Sequence, residues 1–344
     1  MENFQIIKSA QGQNPTIKNK ELLNAWQKWA EVKPQSFATY TRALKIFLKF
    51  LGGRNLHPAD ASRDDLLDYR DGFLADKKPA TKALYLQAVK LFYRWAKNSG
   101  FFENNNAEKL KIHGLRQGDF KKDFLTADAA KRLLNSKTPA PNSDIDTEPD
   151  NEPKNIAKID SELAIKRDRA ILAVMLTAGL RTCEVSRADL GDFDFQNGER
   201  ILRILGKGRV EKTQFVKIPP QVESIILTYL NARQAAEGKF AKIGKSAPLF
   251  AVHANRNRGG RIATRSISFL VKSALRNCGL NSPRLTAHSL RHTFAVLNLE
   301  NGASLEETRQ VLRHDSIKTT QIYSHAVERL KNKSEGRVAA ILFN

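Results

Sequence analysis

The chain has 344 residues, enough for two domains. Lysine and arginine total 57 against 36 aspartate and glutamate residues. The resulting formal charge of +21 indicates a polyanionic partner, either nucleic acid or an anionic membrane surface. Hydrophobic residues make up 41% of the chain, which excludes a wholly disordered protein.

The cysteine count and the distribution of apolar residues exclude further classes of protein. The only cysteines are Cys183 and Cys278, too few for a disulfide framework or a cysteine-built zinc site. No run approaches 18 apolar residues, and the stretch from Met1 to Gln13 is too polar for a signal peptide. Residues 1–17 are interpreted as an N-terminal extension. We therefore expect a cytoplasmic protein that does not associate with a membrane.

Residues 18–112 predict a helical domain with four amphipathic helices and a short fifth. The third helix is expected to begin after Ser62, because Asp65 three residues later completes an N-cap arrangement close to a capping box. Aromatic residues on the apolar faces are predicted to form the core. Outward residues of the second and fourth helices are candidate DNA contacts: Thr39, Arg42, Lys45, Thr81 and Lys82.

Residues 113–124 predict an interdomain linker, in which Lys121 and Lys122 are further candidate DNA contacts. A second domain is expected over residues 125–330. It contains an acidic, proline-rich stretch at 138–153 that predicts a solvated loop. A second interpretation of this stretch, an internal mimic of a phosphate backbone that regulates binding, stays open.

Two β-like runs, 201–205 and 212–218, flank Gly206-Lys207-Gly208 and predict a small hairpin. The segment around Lys207 lacks the spacing of a Walker loop, so nucleotide hydrolysis is not indicated. Residues 331–344 form a tail that ends in an apolar stretch. The tail either docks on a neighbouring protomer or folds back onto its own domain.

Arg181 follows the end of an apolar, buried-type helix and therefore needs an anion, which is either a structural carboxylate or a substrate. Glu184, three residues later, can orient it. His288 and Arg291 lie three residues apart near the start of a helix, a geometry suited to an anion. His292 makes a histidine pair with His288, but a serine follows His288 where the zinc protease motif has glutamate, so no metal site is predicted.

Six residues of the chain together resemble the catalytic set of the tyrosine recombinase (phage integrase) family. In order they are Arg181, Lys207, His288, Arg291, His314 and Tyr323. The segments LTAGLRTCEV, GKGRVEK and TAHSLRHTFA also resemble boxes of that family. The resemblance implies a mainly α (α+β) fold. A helical, SAM-like core-binding domain precedes a catalytic domain with a small antiparallel β-sheet.

One position departs from the family pattern. Arg313 stands where the family usually has glycine before the box histidine. We expect it to end a helix as a non-glycine C-cap, at a cost of about 1 kcal/mol, and to add a phosphate contact.

The resemblance implies a site-specific recombinase that cleaves and religates duplex DNA through a 3′-phosphotyrosine, without a metal or other cofactor. Tyr323 is the expected nucleophile, Arg181 and Arg291 hold the phosphate oxygens, and His288 and His314 add hydrogen bonds. His288 is expected to take the tyrosine proton, and Lys207 to protonate the leaving oxygen.

The expected partners are double-stranded DNA, three further protomers in a homotetramer on two recombination sites, and accessory DNA-bending or directionality proteins. The free protein is expected to be a monomer. Integration or excision of a mobile element is the predicted role, with Xer-type dimer resolution as the alternative. Two other classes are weighed against the recombinase: a type IB topoisomerase-like enzyme and a non-catalytic DNA-binding relative.

Overall fold

The computed structural model describes residues 19–29, 34–112, 123–136, 154–206, 211–237, 244–253, 257–332 and 334–343. Over these ranges the chain is mainly helical and contains a three-stranded antiparallel sheet, so the predicted fold class is confirmed. The chain divides into two compact units, Met1–Gln117 and Gly118–Asn344. Within the described ranges, every helix is too short or too polar to span a lipid bilayer.

The first unit contains four described α-helices. They are α1 (Asn19–Trp29), α2 (Pro34–Gly52), α3 (Arg63–Asp68) and α4 (Pro79–Asn98). A π-helical turn at Tyr69–Phe73 continues α3. The predicted short fifth helix is wrong, because residues 101–112 form turns and irregular chain. Asparagine favours turns over helix interiors, and Asn106 donates a side-chain hydrogen bond of 2.7 Å to the carbonyl of Ala61.

The start of α3 confirms the predicted N-cap. The Ser62 hydroxyl accepts a hydrogen bond from the Asp65 N–H at 3.2 Å, and the Asp65 carboxylate accepts one from the Ser62 N–H at 2.9 Å. The predicted aromatic core is confirmed in part. Trp26, Phe47, Tyr69 and Phe92 are fully buried, whereas Phe73, which the sequence predicts to face inward, is 47% exposed. Tyr93 is a further fully buried aromatic residue.

The second unit contains nine described α-helices and a 3-10 helix at Leu190–Asp192. The α-helices are α5 (Ala127–Asn135), α6 (Lys154–Ala178), α7 (Thr182–Ser186), α8 (Pro220–Glu237), α9 (Thr264–Asn277), α10 (Ala287–Glu300), α11 (Leu305–Leu312), α12 (Ile317–Lys331) and α13 (Ser334–Phe343). Helix α10 packs against α6, α9, α11 and α12, so side chains along it meet residues from several parts of the chain.

The sheet has the strand order β1 (Phe193–Gln196), β2 (Glu199–Ile204) and β3 (Gln214–Lys217). The predicted hairpin is the antiparallel pair β2–β3, in which Leu202 lies opposite Val216. Strand β1 is an addition to the prediction. Asn197-Gly198, both in the left-handed region, joins β1 to β2, and this dipeptide is a strong hairpin signal.

Several predicted features lie outside the described residues. These are residues 113–122 of the linker with Lys121 and Lys122, the acidic stretch 138–153, and Lys207.

Gly179 follows α6 in a left-handed conformation with φ of +58°. A Cβ atom at this position would lie 2.7 Å from Leu312 Cδ2 and 2.9 Å from Phe294 Cδ1. Left-handed backbone and close packing both therefore require glycine here.

We predict that Gly179→Ala lowers the free energy of unfolding by about 2–4 kcal/mol, since it adds left-handed strain and overpacking. Gly198→Ala is the matched control, because Gly198 also has a positive φ but open space around it. Urea unfolding of both variants tests the difference. Equal losses in the two would contradict the packing explanation.

Candidate active site

Arg291 is a deeply buried arginine of the site, with 1% of its surface exposed. Helix α10 places it between the ends of two other helices. One guanidinium nitrogen donates to the Gly179 carbonyl after α6 at 2.6 Å, and the other donates to the Leu312 carbonyl at the end of α11. Burial lowers the pKa of Arg291 to about 9, which leaves the guanidinium charged at neutral pH.

Arg181 precedes α7 and is held by Glu184 within that helix. The Arg181 guanidinium donates to Glu184 Oε1 at 2.8 Å, and the Arg181 N–H donates to Oε2 at 2.8 Å. A quarter of the Arg181 side chain is exposed, while that of Glu184 is fully buried. Glu184 therefore orients Arg181, as the sequence predicts.

The position of Arg313 differs from the expectation that its side chain contacts a phosphate. Arg313 ends α11 in the left-handed conformation expected of a C-cap, with φ of 56°. Its guanidinium, however, is 5% exposed and donates to Glu184 Oε2 at 2.7 Å, so its partner is a buried carboxylate and not a phosphate. Burial alone would raise the pKa of Glu184, but Arg313 and Arg181 outweigh it and hold that pKa below its usual range.

Tyr323 and His314 lie side by side in the second unit. The Tyr323 side chain is 4% exposed, and its ring stacks on the His314 ring with centroids 6.3 Å apart. His314 Nδ1 is 2.9 Å from the hydroxyl of Thr320, which fixes the ring. Burial, reinforced by nearby arginines, lowers the pKa of His314 to about 3, so this imidazole is neutral at physiological pH.

The two histidines of α10 occupy different positions relative to Tyr323. His292 Nδ1 is 2.6 Å from the Tyr323 hydroxyl oxygen. His288 lies one helical turn earlier, and its ring contacts the His292 ring edge-on with centroids 4.5 Å apart. The sequence identified His292 only as one half of a metal pair. Its contact with Tyr323 depends on how α12 crosses α10 and has no local signal.

Five of the six predicted catalytic residues are described, and all five belong to one electrostatic cluster. Arg181 and Arg291 both oppose the rise in the Tyr323 pKa that burial causes, and both act on His314, as does His288. The sixth, Lys207, lies outside the described residues, between the paired strands β2 and β3. Among the described residues, no group of three or more His, Cys, Asp or Glu side chains is arranged to hold a metal ion.

The predicted DNA contacts in the first unit are unevenly exposed. Arg42 and Lys45 are exposed on α2, whereas Thr39, Thr81 and Lys82 are partly buried. Lys82 also lies 3.6 Å from the carboxylate of Asp71. Helices α2 and α4, which carry these residues, pack against each other.

The Arg313–Glu184 ion pair yields a prediction about stability. Replacing Arg313 with Asn, which tolerates the left-handed conformation, should lower the free energy of unfolding by about 3 kcal/mol, because a buried carboxylate loses one of its cations. Arg203→Gln is the control, since Arg203 pairs with Asp194 on the exposed surface at 3.3 Å. It should cost less than about 1 kcal/mol. Similar losses in urea unfolding would contradict this assignment.

The same ion pair predicts a pH dependence. Because the folded-state pKa of Glu184 is depressed, its contribution is complete above the unfolded pKa of about 4.3 and is lost as the pH falls below that value. The stability gap between the natural chain and Glu184→Gln should therefore narrow in acid.

Comparison with known proteins agrees with this arrangement. The model of the phage integrase family matches residues 148–329. The tyrosine recombinase XerD of Bifidobacterium longum is 28% identical over 83% of this chain and 85% of its own length. The tyrosine recombinase XerC of Thermodesulfovibrio yellowstonii is 29% identical over 73% of each chain.

Solved structures show the same fold. The XerH site-specific recombinase bound to palindromic difH substrate in a post-cleavage complex aligns with a TM-score of 0.65 at 18% identity, over 90% of this chain and 80% of that one. A lambda integrase (75–356) dimer bound to a COC′ core site aligns with a TM-score of 0.60 at 16% identity, over 88% and 94%. The family model covers more than half of the chain, and the chain therefore belongs to the phage integrase family of tyrosine recombinases.

Proposed function

We propose that this recombinase cuts one strand of duplex DNA with Tyr323 and holds the cut end as a 3′-phosphotyrosine. The observation that carries the proposal is the position of the buried Tyr323 phenol in one electrostatic cluster with Arg181 and Arg291. A phosphodiester that gains a nucleophile develops charge on its non-bridging oxygens. Two fixed guanidinium groups stabilise that charge without reorganisation.

The Tyr323 oxygen forms a bond to phosphorus while the bond from phosphorus to the 5′ oxygen breaks. The phenol loses its proton, and the leaving 5′ oxygen gains one. Religation reverses these changes, so the energy of the broken phosphodiester is retained in the protein–DNA ester.

The remaining residues of the set have supporting roles in this proposal. His314, held neutral through Thr320, offers a hydrogen bond to a phosphate oxygen, and His288 offers another from the first turn of α10. Lys207 supplies the proton for the 5′ oxygen. Two arginines near such a lysine would lower its pKa and favour this transfer.

The first unit is proposed to follow the DNA backbone with one face of α2 and α4. Arg42 and Lys45 are the strongest candidates, because their side chains are exposed. Thr39, Thr81 and Lys82 would contribute hydrogen bonds at the same face, and Lys121 and Lys122 remain predicted contacts. Phosphate contacts of this kind set position and affinity but not sequence preference.

Assembly of four protomers on two sites is the second part of the proposal. Helix α13 presents its apolar side chains to solvent, and Ile341, Leu342 and Phe343 are each more than two-thirds exposed. An apolar helix of this kind gains stability when a second surface covers it. A lambda integrase tetramer bound to a Holliday junction has the same fold, with a TM-score of 0.60. A neighbouring protomer is therefore the proposed partner of α13.

Two biological roles fit the enzyme. Integration or excision of a mobile element is the predicted role, and the similarity to XerC and XerD fits Xer-type dimer resolution equally well. The two roles use the same chemistry on differently arranged sites. A plasmid assay distinguishes the two roles. The plasmid carries two direct repeats of a candidate site, and the sequence that the protein excises identifies the role.

Replacing Tyr323 with Phe tests the nucleophile. A duplex nicked near the crossover point, drawn from the DNA flanking the gene, traps the covalent intermediate because the short cut strand diffuses away. We expect the natural protein to give a covalent band on a denaturing gel, in buffer containing EDTA. The variant should shift the same DNA on a native gel and give no covalent band. A band that survives Tyr323→Phe would contradict the proposal.

Deleting residues 334–344 tests the assembly. We expect the truncated protein to bind a single site while losing the tetrameric complex on two sites, as measured by native gel and analytical ultracentrifugation. Glu335→Gln, which changes α13 but keeps its apolar residues, is the control. Unchanged tetramer formation after the deletion would show that α13 serves its own protomer.

A further inference from the structure

The hydroxyl of Tyr323 has a specific neighbour on α10. His292 Nδ1 lies 2.6 Å from it, and both side chains are buried, with 6% and 4% of their surfaces exposed. The ring centroids are 5.3 Å apart. His288, the histidine that the sequence predicts for this role, contacts the His292 ring.

We infer that His292, and not His288, accepts the proton of Tyr323 as the phenolic oxygen attacks phosphorus. This inference rests on the proposed function of Tyr323. In the step, the bond between the phenolic oxygen and its hydrogen breaks and Nδ1 of the His292 imidazole takes the proton. The oxygen forms its bond to phosphorus, and the 5′ oxygen leaves with a proton from Lys207.

A proton acceptor is needed because Tyr323 resists ionisation. Burial raises the pKa of Tyr323 to about 12, although Arg291 and Arg181 oppose the rise. The phenol is therefore protonated at neutral pH. An imidazole within hydrogen-bond distance is the side chain best suited to remove such a proton, because its ordinary pKa lies near the working pH.

Helix α10 favours His292 over His288 for a second reason. His288 lies in the first turn of this 14-residue helix, where the positive end of the helix dipole opposes a further positive charge. His292 lies one turn later, where that effect has largely fallen away. The helix dipole therefore opposes an imidazolium less at His292 than at His288, although the burial of His292 works in the other direction. His288 is exposed in the first turn and is better suited to meet the negative phosphate.

The surroundings of the pair set the charge balance of the transfer. The charged and titratable groups of the cluster come from four segments of the chain. Arg291 and His288 lie on α10, and Tyr323 lies on α12. Arg181 and Glu184 lie at the start of α7, and Arg313 and His314 follow α11. The three arginines disfavour a new positive charge, while Glu184 and the bound phosphate favour it. Proton transfer is therefore coupled to the presence of DNA.

Single-turnover cleavage of the nicked duplex tests the inference. His292→Asn keeps a hydrogen-bonding atom near the Nδ1 position but supplies no base. We expect it to slow cleavage by about 10²-fold or more at neutral pH. The deficit should narrow as the pH rises, because hydroxide then takes the proton. His292→Ala should regain part of the rate when free imidazole is added, a recovery that a purely structural role would not give.

His288→Asn is the matched control on the same helix. We expect it to slow cleavage at all pH values alike, with no recovery in imidazole. Native gels must show that each variant still binds the duplex. Cleavage by His292→Asn at the natural rate, or imidazole recovery in His288→Ala alone, would overturn the inference.

Failure of the proposed function gives a different result. If the natural protein binds and recombines the duplex but never forms an adduct that depends on Tyr323, the nucleophile is wrong, and the inference about His292 falls with it. If the Tyr323 adduct forms and only the histidine variants behave otherwise, the proposed function stands and the inference alone is wrong.

Discussion

The burial of Arg291 is the constraint on which the site depends. A permanently charged guanidinium with 1% exposure is costly unless its N–H groups are hydrogen-bonded. Arg291 meets this need by donating to the carbonyls of Gly179 and Leu312. Gly179 directly follows α6, and Leu312 is the last residue of α11. The same two bonds tie two segments of the second unit, the end of α6 and the end of α11, to α10. The arginine that is proposed to hold the phosphate is in this way also a structural crosslink.

The other charged groups follow from that arrangement. Gly179 accepts the bond from Arg291 only because its left-handed turn lets α6 end against Leu312 and Phe294. Arg181 comes two residues later, and Glu184 joins it to Arg313 at the end of α11. With three cations close together and one carboxylate among them, the cluster carries an excess positive charge. A phosphate group is the natural complement of that charge, and low exposure strengthens the attraction.

Local features of the sequence predicted much of this structure. The Ser62–Asp65 cap, the buried aromatic residues of the first unit and the β2–β3 hairpin follow from short-range patterns that the fold keeps. The contacts that distinguish the site do not. Arg313 meets Glu184 across 129 positions of the chain, so its buried partner could not be predicted from its neighbours. Whether His288 or His292 meets Tyr323 is decided by the packing of α12 on α10, because both histidines share one helical face. Asn197-Gly198 was the available signal for strand β1.

The identity of the residue joined to DNA tests the account most directly. The covalent complex would be trapped on the nicked duplex and digested with protease and nuclease, and the remaining peptide–nucleotide would be sequenced by tandem mass spectrometry. The account predicts a nucleotide 3′-phosphate attached to Tyr323, within the peptide from α12. Attachment to any other residue, or through a 5′-phosphate, would contradict it.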